Sequence, residues 1–161
     1  MHTPSSNVHT STLTVNWNGG FKGQAQIRLS SGPAEVTLPK EFGGRGSGTS
    51  PEELLLAALV SCQAATLGIL LEKEKLCATV SVTGSLLTVK EPYPVISQVH
   101  LCFNIHSHFP DQFVDLERTI TRASELCLIS KALGPHIEKK FSVQVSEPHL
   151  ERNLHEEHKG I

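Results

Sequence analysis

The middle of the chain contains a long apolar run. It extends over residues 54–71, and nearly every residue in it is apolar or small. A helix with this composition has no polar stripe to turn toward water, so other structure has to surround it on most sides. This requirement constrains the fold more than any other feature of the sequence. We therefore expect a buried central helix, covered by further layers, with one thiol, Cys62, near its middle.

The residues just before the run carry the signals of a helix N-terminus. A glycine-rich loop over residues 43–48 leads to Ser50, Pro51 and Glu53. Serine is a favoured N-cap, proline fits the first helical position, and a glutamate three residues after the cap completes a capping box. The helix is therefore predicted to begin at Pro51. The charged residues 72–75 predict its solvated end.

A membrane span is the alternative interpretation of this run, because 18 apolar residues approach the ~20 that a bilayer requires. Ser61, Gln63 and Thr66 lie at its centre, and no second run of this length follows. These features favour the buried helix of a soluble protein, and no membrane partner is predicted.

The rest of the pattern predicts an α+β fold. Apolar and polar residues alternate over 13–17 and again over 25–29, with Asn18-Gly19-Gly20 between them, which is typical of a β-hairpin. A second long helix is predicted from residue 111 to about 133, because apolar residues recur there at alternating spacings of three and four. Two helices are too few for βαβ crossovers throughout. Further strands are predicted over 34–38, from residue 80, over 99–105 and over 141–145.

Length and charge indicate one cytoplasmic domain. The 161 residues suit a single domain with a core over about 11–146 and a polar tail at each end. The 14 Lys and Arg nearly balance the 16 Asp and Glu without forming a basic stripe, so nucleic acid is not a predicted partner. Residues 1–10 lack the apolar segment of a secretory signal. In a reducing compartment, the four cysteines are expected to be free, catalytic or metal-bound.

Two of these cysteines are predicted to lie on the inner faces of the two long helices. Cys62 belongs to the central helix and Cys127 to the second one. A free cysteine in a core is often only a small apolar residue, so the pattern alone leaves packing and redox chemistry both open. Cys77 and Cys102, at predicted strand positions, have the simpler structural interpretation.

Several short segments, taken together, resemble the OsmC/Ohr family of osmotically inducible and organic hydroperoxide resistance proteins. They are P-K-E-F-G-G at 39–44, G-T-S-P-E-E-L at 48–54, the surroundings of Cys62, and A-S-E-L-C-L-I-S-K-A-L at 123–133. The resemblance covers about residues 11–146. It implies an intertwined homodimer in which the central helices pack together, sheets from both chains cover them, and the active sites lie at the interface.

The same resemblance implies a thiol peroxidase that needs no cofactor. Cys62 matches the peroxidatic cysteine of the family and Cys127 the resolving one. A thiolate that attacks a hydroperoxide becomes a sulfenic acid, which condenses with a second thiol to a disulfide. A thiol or dithiol reductant then has to restore both cysteines. An organic hydroperoxide is the expected substrate, because a leucine-lined pocket favours an apolar tail.

The family activates its thiol with an arginine that a glutamate holds, and this chain departs from that pattern. Glu52 matches the glutamate, whereas the expected arginine region reads G-G-F-K-G at 19–23, so Lys22 and Arg45 are the candidate substitutes. Ten residues separate Glu52 from Cys62, or ~15 Å along a helix. Glu52 is therefore predicted to act across the dimer interface or after a helix break. A second departure is Leu128, where many relatives have proline.

The missing arginine leaves a different kind of function open, an OsmC-like binding protein that keeps the pocket and the dimer but reduces no peroxide. A metal site is a further alternative, because His155 and His158, and also His106 and His108, have suitable spacings. Terminal polar tails are usually only solvated, and no metal is predicted.

Overall fold

The computed structural model describes residues 9–90 and 92–146, which form two compact units, one up to Leu55 and one from Leu56. The histidine pair of the C-terminal tail, His155 and His158, lies outside the described residues. The elements are, in chain order, β1 Gln24–Leu29, β2 Gly32–Thr37, α1 Pro51–Glu74, β3 Thr79–Val89, β4 Val95–His106, α2 Phe113–Leu126, α3 Leu128–Ala132 and β5 Glu138–Ser146. This mixture of helix and sheet confirms the predicted α+β class.

The first unit is built on the antiparallel pair of β1 and β2. Ala25 and Ile27 of β1 and Val36 of β2 are buried and form its small core. The glycine-rich loop then runs back along β2, where Thr49 forms a parallel bridge with Val36. The strand predicted over 34–38 is thereby confirmed as β2.

The strand predicted over residues 13–17 is wrong. These residues belong to no regular element, and their three large apolar side chains, Leu13, Val15 and Trp17, are exposed. Asn18 makes only a single bridge, to Gln24, and the hairpin partner of β1 is β2 instead. Alternation indicates which side chains share a face, but it does not supply a neighbouring strand with which to pair.

The predicted start of the central helix is confirmed at Pro51. The Glu53 amide donates a hydrogen bond of 3.1 Å to Ser50 Oγ, and the Ser50 amide donates one of 2.7 Å to Glu53 Oε2. These two reciprocal bonds form the capping box and satisfy amides that the helix itself leaves unpaired. The helix then continues to Glu74, within the charged segment that predicted its end.

The second unit is a three-stranded sheet with helices against one face. β4 lies in the middle, antiparallel to β3 and parallel to β5. Its inward side chains, predicted from alternation, are all buried, and they pack with apolar residues of α1 and α2. The core-facing residues of β4 are Val99, Leu101, Phe103 and Ile105. The opposite face of the strand carries His100, Cys102, Asn104 and His106.

The second long helix, predicted as continuous, is interrupted. A short 3₁₀ turn, Pro110–Gln112, precedes α2, and the chain breaks at Cys127 before α3 begins. The predicted inward stripe of α2 is confirmed, because Leu116, Ile120, Ala123 and Cys127 are buried. Apolar spacing therefore identified the correct face, but it contained no signal for the interruption.

Candidate redox site

The structure brings the two helix cysteines together. Cys127 donates a hydrogen bond to Cys62, and their Sγ atoms are 3.1 Å apart. Cys62 is half-buried on α1, and Cys127 is fully buried. A disulfide requires an S–S distance of about 2.05 Å, so a movement of roughly 1 Å is enough to join the two sulfur atoms. Cys62 and Cys127 thus form a close pair of thiols.

The break at Cys127 determines how the second thiol is held. Its backbone has φ −58° and ψ 120°, so the peptide plane that follows leaves the helical direction. The Ser130 amide donates a hydrogen bond of 3.4 Å to Cys127 Sγ, which is the side-chain cap of α3. The other two amides of this first turn, those of Leu128 and Ile129, contribute to lowering the pKa of the Cys62 thiol.

The two thiols differ in acidity. Burial raises the pKa of Cys62, but hydrogen bonds from the Ile129 amide, the Cys127 thiol and the Leu128 amide oppose it, and the net pKa is lowered. For Cys127, burial raises the pKa, and the neighbouring Cys62 raises it further, while the Ser130 amide only partly compensates. Cys62 is therefore the more acidic thiol of the pair, and Cys127 donates a hydrogen bond to it.

Glu52 lies in the first turn of α1, next to the capping glutamate. Its Oε2 atom is buried and has no hydrogen-bond partner among the described residues. A buried carboxylate oxygen without a donor is costly, so this atom is suited to accept a bond from a cation. Glu53 Oε2, in contrast, accepts a hydrogen bond from the Ser50 amide in the capping box.

The two candidate cations are both engaged within the first unit. Arg45 donates a hydrogen bond to Gln24 Oε1, and Lys22 Nζ donates one of 3.0 Å to the Gly44 carbonyl. Neither makes an ion pair with Glu52 among the described residues. The local geometry therefore holds both cations beside the glycine-rich loop.

The arrangement of elements and cysteines agrees with the comparison to known protein families. The model of the family described as OsmC-like protein matches residues 44–142, which include both helix cysteines. This chain belongs to the OsmC-like family. The uncharacterized protein YmaD of Bacillus subtilis (strain 168) is 28% identical to it over 146 residues, which covers 85% of this chain and 95% of YmaD.

Solved structures of OsmC and Ohr proteins share the OsmC-like fold. The organic hydroperoxide resistance protein OhrB of Bacillus subtilis is 20% identical, with a TM-score of 0.65 over 83% of this chain and 98% of OhrB. An organic hydroperoxide resistance protein from Elizabethkingia anophelis is 25% identical, with a TM-score of 0.62 over 87% of this chain and 99% of its own. The recognition of the family from its motifs is thereby confirmed.

The other two cysteines of the OsmC-like chain lie apart from this pair. Cys77 is exposed, and Cys102 is half-buried on the outer face of β4, where its thiol donates to Asn104 Oδ1 at 3.8 Å. No cluster of three metal-ligating side chains occurs within the part of the chain that the structure describes. His106 there interacts with Ser146 at 2.9 Å.

Sequence reasoning missed the break at Cys127, because a change of backbone direction before a leucine leaves no mark in a residue pattern.

Proposed function

We propose that this OsmC-like protein is a thiol peroxidase that reduces organic hydroperoxides, with Cys62 as the attacking and Cys127 as the resolving cysteine. One observation carries the proposal: the Sγ atoms of a pKa-lowered thiol and a pKa-raised thiol are 3.1 Å apart. Two cysteines that only pack together in a core do not need to differ in pKa. A peroxidase does, because the nucleophile is the thiolate.

The proposed reaction uses both thiols in sequence. The Cys62 thiolate attacks the distal oxygen of the hydroperoxide, the O–O bond breaks, and the alkoxide leaves and takes up a proton to become an alcohol. Cys62 is then a sulfenic acid. The sulfur of Cys127 attacks the sulfur of Cys62, the hydroxide leaves with the thiol proton as water, and a disulfide forms. An external dithiol reductant restores both thiols by thiol–disulfide exchange.

The names of related proteins and the surroundings of Cys62 support an organic substrate. OhrB and the Elizabethkingia protein are both organic hydroperoxide resistance proteins. Cys62 itself packs against an apolar core that includes leucine and isoleucine side chains of both helices. Such surroundings favour a hydroperoxide with an apolar tail over hydrogen peroxide.

We propose that the working molecule is a homodimer in which α1 packs against its copy. The helix α1 is as long and apolar as a membrane span, but the core helix of a soluble protein can have the same composition. Within a single chain, only 28% of its most apolar 18 residues are buried, so a second surface is needed to cover the rest. A stripe of small exposed residues runs along the uncovered face and permits close approach of a second helix. Its members are Ala57, Ser61, Ala65 and Gly68.

In this dimer, Glu52 is proposed to hold a cation that faces the thiol of the other copy. The buried, unpaired Oε2 atom supports this role. Arg45 and Lys22 are the candidate cations, and within residues 9–90 and 92–146 each bonds to an uncharged group. Arginine is better suited than lysine to bridge a carboxylate and a thiolate, because its planar group carries several donors.

The proposed cycle ends with reduction of the disulfide between Cys62 and Cys127, and this step favours a cellular compartment that supplies thiols. All four cysteines are free, and regeneration of the pair needs a thiol or dithiol. A cytoplasmic location provides such reductants. The chemistry of the two cysteines needs no further cofactor.

Consumption of an organic hydroperoxide with a dithiol reductant tests the function. We expect turnover by the native protein and none by Cys62→Ser. Cys127→Ser is expected to complete at most one turnover, because its Cys62 sulfenic acid has no second thiol with which to form a disulfide. Cys102→Ser is the matched control and is expected to retain full activity. If the native protein consumes no hydroperoxide while its pair still oxidises slowly to a disulfide, the peroxidase proposal fails and the OsmC-like binding function becomes the better explanation.

A further inference from the structure

We propose that Thr66 of α1 is a further catalytic residue, whose hydroxyl donates a hydrogen bond to the oxygen that leaves the hydroperoxide when Cys62 attacks. The inference deepens the proposed peroxidase function and rests on it. It assigns the stabilisation of the leaving group to the central helix itself, one turn after the attacking thiol.

Thr66 lies beside Cys62 on the same side of α1. Its Oγ1 atom donates a hydrogen bond of 2.8 Å to the Cys62 carbonyl oxygen, so the hydroxyl is held against the residue that carries the attacking sulfur. Residues four apart on a helix have Cβ atoms ~5–6 Å apart, and their side chains are neighbours. The Thr66 side chain also contributes to lowering the pKa of the Cys62 thiol, which agrees with this placement.

Within α1, which the structure describes in full, Thr66 is the only neighbour of Cys62 on this face whose side chain can donate a hydrogen bond. The other residues three and four positions away are apolar, and they are Ala58, Leu59 and Ala65. Gln63 has a polar side chain, but it is fully buried on the core-facing stripe. Cys62 and Thr66 are both half-buried, so a peroxide that reaches the sulfur from the exposed side meets the hydroxyl as well.

The first step of the proposed reaction releases a strongly basic group. The Cys62 thiolate forms a bond to the distal oxygen, the electron pair of the O–O bond moves to the other oxygen, and that oxygen becomes an alkoxide. The sulfenic acid keeps the hydrogen of the hydroperoxide, and the proton of Cys127 is used later, when hydroxide leaves as water. A fixed donor that faces the developing alkoxide lowers the barrier. Thr66 is this donor, and a proton from solvent completes the alcohol.

The Thr66 hydroxyl can turn toward the substrate at little cost. The hydrogen of a hydroxyl rotates to suit its partner. The Cys62 carbonyl that it leaves lies inside α1 and keeps the main-chain hydrogen bond of the helix. No buried acceptor is therefore left unpaired when the hydroxyl changes its partner.

The test follows the oxidation of Cys62 in a single turnover without reductant, in full-length reduced protein with Cys77 and Cys102 replaced by serine. Each rate is divided by the thiolate fraction, which the pH profile of Cys62 alkylation gives. Thr66→Val keeps the shape of the side chain and removes the hydroxyl, whereas Thr66→Ser keeps the hydroxyl. Thr121→Val is the matched control, because the exposed Thr121 hydroxyl of α2 also bonds to a carbonyl four residues earlier.

Two oxidants with different leaving groups distinguish catalysis from packing. tert-Butyl hydroperoxide releases a strongly basic alkoxide, whereas peracetic acid releases acetate, a weak base that needs little stabilisation. We expect Thr66→Val to react about 10- to 100-fold more slowly with tert-butyl hydroperoxide, and less than about threefold more slowly with peracetic acid. Thr66→Ser is expected to recover most of the loss, and Thr121→Val to react as the native protein does.

A loss in Thr66→Val that is equal with both oxidants, or no loss with either, overturns the inference. Thr66→Ala gives the same comparison if valine at this position prevents folding, because alanine suits a helix. A native protein whose Cys62 reacts with tert-butyl hydroperoxide no faster than free cysteine, at equal thiolate fraction, loses the peroxidase function and the inference together. A fast native reaction without the difference between oxidants in Thr66→Val overturns the inference alone.

Discussion

Thr119 of α2 places its hydroxyl 2.6 Å from Oε2 of Glu74, the last residue of α1. Arg122 donates to the other carboxylate oxygen at 2.8 Å. Thr119 is almost fully buried. The helix that carries Cys62 and the helix that Cys127 caps are thereby fixed to each other at a point away from the two thiols.

This contact predicts a stability loss in Thr119→Val, which keeps the shape of the side chain and removes the hydroxyl. Hydrogen bonds to charged groups contribute ~1.5–3 kcal/mol, and partial exposure of Glu74 reduces this to about 1–2 kcal/mol here. Urea unfolding of the reduced protein measures the change. Thr121→Val is the control, because the exposed Thr121 hydroxyl bonds only to the Glu117 carbonyl. An equal loss of unfolding free energy in Thr119→Val and Thr121→Val would contradict a stabilising role for the contact with Glu74.

A second stability prediction concerns Gly84 of β3, over which α1 passes closely. A Cβ atom at this position would lie 2.6 Å from Val60 Cγ2 and 2.8 Å from Leu56 Cδ1. Both contacts are too short, so the helix or the strand has to shift. Gly84→Ala is expected to destabilise the protein by about 1–3 kcal/mol, the usual cost of overpacking a core. Gly20→Ala, where a Cβ meets no atom within 4 Å, is expected to change the free energy of unfolding by much less in the same assay.

The start of α1 and the inward faces of α2 and β4 were predictable because their signals are local. Ser50, Pro51 and Glu53 determine a helix start through contacts within four residues, and these contacts form as predicted. Alternation on β4 reports directly which side chains are buried. The strand expected over residues 13–17 failed because pairing depends on a partner elsewhere in the fold.

The close approach of Cys62 and Cys127 was predictable, whereas the break in the backbone at Cys127 was not. Helical spacing directed both cysteines inward, and the family resemblance implied their roles. The break at Cys127 is a backbone event with leucine at position 128, which is a residue that also suits a continuous helix. A break of this kind has no side-chain signature at position 128, so the sequence pattern did not predict it.

The hydrogen bond from Cys127 predicts the direction of a pH effect. The Cys127 thiol donates to Cys62 and favours its anionic form, so removal of the donor in Cys127→Ala should raise the pKa of Cys62. Alkylation of Cys62 is then expected to require a higher pH, by up to about one unit. Cys102→Ala, distant from the pair, is the control. A midpoint that is unchanged or lower in Cys127→Ala would contradict a role of the Cys127 thiol in the acidity of Cys62.

The proposed dimer predicts the effect of a charge on the small-residue stripe of α1. Ala65→Arg places a long cation at an exposed position of the otherwise apolar helix face, where close packing of two helices leaves no room for it. Sedimentation at micromolar concentration is expected to give a dimer for the native protein and a monomer for Ala65→Arg. Thr121→Arg, an exposed position of α2, adds the same charge and should remain dimeric. A native protein that sediments as a stable folded monomer would rule out the dimer.

The final prediction separates two neighbouring glutamates that have different tasks. Glu52→Ala should lower the peroxidase rate with little loss of stability, because the buried Oε2 atom of Glu52 has no partner to lose within the described chain. Glu53→Ala should cost about 1 kcal/mol or less through loss of the capping box, with little effect on the rate. Peroxide consumption and urea unfolding on the same preparations distinguish the two patterns. If both variants lose rate equally, Glu52 has no separate function.

The cation that Glu52 is proposed to hold is identified by Arg45→Ala and Lys22→Ala. The substitution that removes this cation should reproduce the rate loss of Glu52→Ala. It should also raise the pKa of Cys62, because a nearby positive charge favours the thiolate. Combining that substitution with Glu52→Ala should add no further loss, since both changes break one contact. If neither substitution moves the Cys62 alkylation midpoint, the proposal that a substitute cation activates this thiol is wrong.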